Sequence, residues 1–138
     1  MKKSLFALIP ALAMVFLIAS CSKDDTTTTT TNTTPTGTWI GIGQYGIGPG
    51  NPTYAFTLTF KANGTLDIIG NNNAAIDNGT GTWQIVQDSV RAAFRYAASS
   101  ADYTLSGKFS SASNVMVGTI GLGTSTTGVG LFSVTKQQ

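Results

Sequence analysis

From Thr53 to Phe60 the chain reads TYAFTLTF, apolar and polar side chains in alternation, and this period of two recurs along everything after Gly37. Such a period puts successive side chains on opposite faces of a strand, whereas a helix needs apolar positions three and four apart. No helical window of useful length interrupts it, and clusters of Gly, Pro, Asn and Asp return roughly every ten residues, the cadence of an all-β domain. The spacing predicts eight strands, over Thr38–Tyr45, Thr53–Lys61, Thr65–Ile69, Thr80–Val86, Ser89–Ala97, Ala101–Phe109, Val115–Gly121 and Gly128–Lys136.

Residues 37–138 are enough for one core and too few for two. Asn63-Gly64 and Gln87-Asp88 mark short hairpin links. Sequential strands joined by short links form a meander, and a meander loses its exposed edges by closing on itself. The expectation is therefore an all-β, eight-stranded antiparallel up-and-down β-barrel.

GIGQYG, Gly41 to Gly46, spells G-x-G-x-x-G, the fingerprint of dinucleotide-binding loops. That fingerprint works where a helix opens behind it and offers its N-terminal amides to a pyrophosphate. Here IGPGNP follows, a loop, so the glycines belong to a strand.

Alternation sorts the faces. One parity gathers Trp39, Tyr54, Phe56, Leu58, Phe60, Leu66, Ile68, Trp83, Ile85, Val90, Phe94, Tyr96, Tyr103, Leu105, Phe109, Val115, Val117, Phe132 and Val134, and is expected inside. The other carries Lys61, Asp67, Gln84, Arg91, Arg95 and Lys108. It also carries Ile40, Ile42, Met116, Ile120, Val129 and Leu131, an apolar outer patch where the first, seventh and eighth strands meet, of the kind that marks a partner surface.

GTW at Gly37 to Trp39, eight strands, and the basic Lys136 on the last of them resemble the lipocalin-like, or calycin, barrels. The resemblance implies that Trp39 closes the barrel base and that Lys136 packs across it. The chain departs from that family in having no T-D-x-x-Y motif before a late strand, no long first-loop lid, no disulfide and no C-terminal helix. GTW also opens the avidin-like barrels, whose ligand box is rich in tryptophan; here only Trp39 and Trp83 exist.

Following the alternating strand directions, Tyr45, Tyr54, Tyr96 and Tyr103, the only tyrosines of the chain, fall at the end opposite Trp39. Gly41 and Gly43, with Gly128 and Gly130 on the antiparallel last strand, share the inward parity and leave vacancies beneath them. A phenol has an apolar ring and a polar tip, so a mouth ringed with four suits a small hydrophobic or amphipathic ligand. The loop from Gly70 to Gly79 hangs over the same end as a flap. The competing expectation is a barrel filled by its own side chains, with the tyrosines as an amphipathic rim; such a solid barrel would be a structural or interaction module that meets a surface protein or a glycan.

Ahead of the domain, residues 1–20 place two lysines, an apolar run and small residues before a cysteine, the layout of a secretory signal. They resemble a bacterial lipoprotein signal, with Ile18, Ala19, Ser20 and Cys21 standing as the lipobox. The resemblance implies cleavage before Cys21, acylation of that cysteine by a fatty chain such as palmitate, and attachment to a membrane. Ser22, Lys23, Asp24 and Asp25 resemble the export signal that sends some Gram-negative lipoproteins to the cell surface, against the periplasmic face as the alternative. Residues 21–36 then form a threonine-rich tract, expected to be a disordered linker that reaches about 50 Å when extended. Within it Asp25 to Thr27 resembles a short O-glycosylation site, a plain spacer being the other reading.

With Lys2 and Lys3 removed, the remaining six basic residues balance six acidic ones, all aspartates. A chain without a basic cluster lacks the footprint that tracks a phosphate backbone, so no nucleic-acid partner is expected. There is no histidine and no glutamate, and Cys21 is the sole cysteine. The usual bases, thiol nucleophiles and transition-metal ligands are missing, so no enzyme activity, cofactor or metal is expected. Asp77 beside Asn71 to Asn73 matches no cation-loop spacing and reads as a solvated turn.

Overall fold

The computed structural model describes residues 34–138. The signal segment, Cys21 and the threonine tract as far as residue 33 lie outside the described residues.

Eight strands follow one another: β1 (Gly37–Tyr45), β2 (Thr53–Phe60), β3 (Thr65–Gly70), β4 (Asn78–Val86), β5 (Ser89–Tyr96), β6 (Tyr103–Ser110), β7 (Val115–Leu122) and β8 (Gly128–Lys136). Each pairs antiparallel with the next, and β1 pairs antiparallel with β8 from Trp39↔Lys136 to Tyr45↔Gly130, closing the barrel. The all-β, eight-stranded closed barrel expected from the alternation is the observed fold, with strand ends shifted by one or two residues. The links obey local chemistry. Gly64, at φ +82°, turns the β2–β3 hairpin while the Asn63 side chain accepts the Thr65 amide at 3.1 Å.

The interior is packed from the Trp39 end upward. Phe56, Leu58, Phe60, Leu66, Ile68, Val90, Leu105 and Val134 are all fully buried, each stabilising the closed sheet by about 1.5–3 kcal/mol through lost water contact. At the base Trp39 meets Phe109 edge-on at 6.3 Å and Phe60 meets Trp83 at 5.4 Å. The Lys136 ammonium stands 5.9 Å from the centre of the Trp39 ring, within cation–π reach. Trp39 and Lys136 thus lie together at this end of the barrel.

The folded unit begins ahead of Gly37. Pro35 is fully buried and its carbonyl accepts the Trp39 indole N–H at 2.7 Å. The end of the tract expected to be linker therefore contributes to the barrel floor.

On β7 the face assignment is reversed. Met116 and Ile120, expected outside, are buried, while Val117, expected inside, is half exposed. Register decides this. Met116 lies opposite Phe109 and Val134, and Ile120 opposite Leu105 and Gly130, all on the inner face. Ile85, also expected inside, is exposed because β4 runs past the start of β3, whose pairing ends at Thr65↔Thr82. Of the expected outer patch Ile40 and Ile42 are exposed and Val117 joins them, whereas Val129 packs against the core instead.

Candidate functional site

The end opposite Trp39 holds a cavity of about 240 Å³. Tyr45, Tyr54, Tyr96 and Tyr103 all line it, together with Phe94, Ile120 and Val129. Strand direction explains the meeting. Tyr45 ends β1, Tyr54 follows the first residue of β2, Tyr96 ends β5 and Tyr103 starts β6, so an up-and-down barrel carries all four to one rim.

The aromatic groups form two walls. On one, the Tyr45 and Tyr54 rings lie 4.6 Å apart, and Tyr54 stands edge-on to Phe56 at 5.6 Å. On the other, Phe94 stacks on Tyr103 at 5.5 Å and 21°, with Tyr96 edge-on to both. In the cyclic strand order the β1–β2 pair faces the β5–β6 pair, so the two walls look at each other across the mouth.

Burial pushes the Tyr54 phenol up to about 12, with the neighbouring Tyr45 and Tyr103 hydroxyls adding to the rise and interaction with the Tyr96 hydroxyl working against it. The Tyr96 phenol is raised as well, first by burial and then by its neighbours Tyr54, Tyr45 and the Asp77 carboxylate. Both groups are neutral hydrogen-bonding tips at physiological pH.

The glycines divide. Gly130 lines the cavity. Gly43 leaves a vacancy, but the Tyr54 ring occupies it, and a Cβ at Gly43 would collide with that ring. Gly41 serves close approach instead, since a Cβ there would run into the backbone of Ser133 and Val134 on β8. Gly128 has φ +105° and open space around it at the start of β8. The expected glycine wall is thus one lining residue, one seat for a tyrosine, one strand contact and one turn.

Alternation alone did not single out Asn71 and Asp77, which bring the β3–β4 loop to the rim of the cavity. The loop is tied at both ends. The Gly70 amide donates to the Asp77 carbonyl at 2.8 Å, the Asn71 amide to the Ala55 carbonyl at 2.8 Å, and the Asn71 side-chain amide to the Asp77 carboxylate at 2.8 Å. These bonds set the two ends of the expected flap at the side of the mouth. Gln44 of β1 also lines the mouth, with its amide held on the Gly48 carbonyl at 2.9 Å.

Comparison with protein-family models and with curated proteins gives no match to this chain.

Proposed function

We propose that the protein is a lipid-anchored barrel of the bacterial cell envelope that binds a small hydrophobic or amphipathic molecule at its tyrosine mouth, without catalysing a reaction. The observation that carries this reading is the cavity of about 240 Å³ at which all four tyrosines meet above a packed floor. That volume lies below the roughly 300–1,000 Å³ of drug-sized sites, so it suits a small ligand or one end of a longer one. The test is saturable binding of a lipophilic fluorescent dye to the purified chain. Binding should be lost in Tyr54→Ala and in Val129→Trp, which fills the cavity and keeps the phenol. Dye uptake that neither substitution alters would remove the mouth as the site.

Anchoring and address belong to the same proposal. The lipobox-like Ile18 to Cys21 supports acylation and membrane attachment, and the Lys23-Asp24-Asp25 run supports the outer membrane and the cell surface. Metabolic labelling with a palmitate analogue should mark the chain and spare Cys21→Ser, and protease added to intact cells should cut it. The exposed Ile40, Ile42 and Val117 favour a second reading, a surface interaction module that meets a protein or glycan partner. Absence of dye binding together with self-association or partner capture abolished by Ile42→Asp would favour that reading.

A further inference from the structure

Four aspartates lie among the described residues, and three of them hold a cation. Asp67 pairs with Lys61, Asp102 with Arg95 and Asp88 with Lys108, each at 2.6 Å. The fourth, Asp77, has no such partner among the described residues, and it is the one that lines the tyrosine cavity. Its side-chain hydrogen bond comes from the Asn71 amide, a neutral donor. Among the described residues no lysine or arginine lines the cavity either, so the described rim carries one uncompensated negative charge.

The walls favour the same sign of ligand. Aromatic faces carry negative quadrupole potential, and several rings around one space attract a cation that has shed its water. Here Tyr45 with Tyr54 and Phe94 with Tyr103 stand on facing strand pairs. Apolar Ile120 and Val129 line the space with them, and the amides of Asn71 and Gln44 stand at its rim. A bare ammonium would bring three N–H donors to surroundings made largely of rings and hydrocarbon, and each donor left unmet would count against it. Methyl groups on nitrogen remove those donors and spread the charge over an apolar surface that fits such walls.

From the unpaired Asp77 carboxylate set between two facing aromatic walls we infer that the mouth recognises an alkylated ammonium group of the choline type. This rests on the ligand-binding reading of the same cavity and narrows it to a chemical class. The group could arrive on a free small molecule or on a lipid headgroup.

The test is calorimetric titration of the purified full chain with choline, with 3,3-dimethylbutan-1-ol, its uncharged carbon isostere, and with ethanolamine, its unmethylated counterpart. Choline should bind about tenfold or more tighter than either, as expected of charge and methyl recognition together. Asp77→Asn should weaken choline about five- to tenfold and leave the isostere unchanged. Tyr103→Leu should weaken choline in a chain whose circular dichroism remains that of the parent. Equal binding of choline and the isostere would overturn the charge assignment, equal binding of ethanolamine would overturn the methyl assignment, and indifference to Asp77→Asn would overturn the role of the carboxylate. If choline fails to bind while the lipophilic dye still saturates at the mouth, the ammonium class is wrong and the binding site stands; if neither binds, both readings fall. Sedimentation with phosphatidylcholine vesicles, blocked by free choline and by Asp77→Asn, would assign the group to a headgroup. Choline binding without such sedimentation would assign it to a free molecule, and either result upholds the class.

Discussion

The Phe132 ring lies over Gly107, its Cζ 2.7 Å from where a Cβ of that glycine would stand. Gly118 on the next strand leaves room for the same ring, whose Cε1 is 2.6 Å from the corresponding position. Two neighbouring glycines thus make a socket for one aromatic side chain, which also meets Phe56 at 6.1 Å. Gly107→Ala should destabilise the protein by about 1–3 kcal/mol through overpacking. Phe132→Leu in the same chain should recover part of that loss. A denaturant double-mutant cycle in which the two costs simply add would refute the socket.

Trp39 and Lys136 make unequal contributions at the floor. The Trp39 ring is buried and its N–H is committed to the Pro35 carbonyl, whereas the lysine contact is partly exposed. Trp39→Ala should cost about 3–5 kcal/mol, and Lys136→Met at most about 1 kcal/mol. Thermal or urea denaturation of the two variants measures the contrast. A lysine substitution as costly as the tryptophan one would show that the cation governs closure.

The phenols of the mouth should be visible in a pH titration. Tyr54 ionises near 12 in the folded protein and near 10 when unfolded, because burial disfavours the phenolate. The folded state therefore keeps its proton where the unfolded state has lost it, and this contribution to stability is intact below pH 10 and declines as pH rises through 12. Tyr96 acts in the same direction. Near-ultraviolet phenolate absorbance should show the Tyr54 and Tyr96 signals delayed above the ordinary range until the chain unfolds, and ordinary titration of these two would contradict the burial.

Side chains on β7 provide a direct check of which way that strand faces. Met116→Lys puts a charge into the core beside Phe109 and Val134 and should cost several kcal/mol or abolish folding. Val117→Lys adds a charge to a half-exposed outer position and should change stability by about 0.5 kcal/mol or less. Soluble expression and urea midpoints of the pair separate the two orientations, and the opposite ranking would reverse the strand.

Where alternation was unequivocal, the sequence was a sufficient guide. Tyr54 to Phe60 and Val90 to Tyr96 each offer bulky apolar residues on one face only, and both strands point as their pattern requires. On β7, VMVGTIGL is apolar on both faces, so only pairing with Phe109 and Val134 could choose between them. The gathering of the tyrosines followed from strand direction alone. The seating of Tyr54 on Gly43 did not, because a ring that leans across to the neighbouring strand leaves no trace in a period of two. Asp77 reads from the sequence as part of a solvated turn for a related reason. Its lack of a cation is a property of pairings between different strands, such as Lys61 with Asp67 and Arg95 with Asp102.

The two ends of the ladder also meet beyond the last paired strands, where the Gln137 amide donates to the Thr38 carbonyl at 2.8 Å. A ring of nearest-neighbour pairings has no privileged first member, and its ends are already side by side. Circular permutants that join Gln138 to Thr34 through a short linker, so that Pro35 stays under Trp39, and open at the β4–β5 or β6–β7 hairpin can keep every pairing, since only the bookkeeping of which strand is made first has changed.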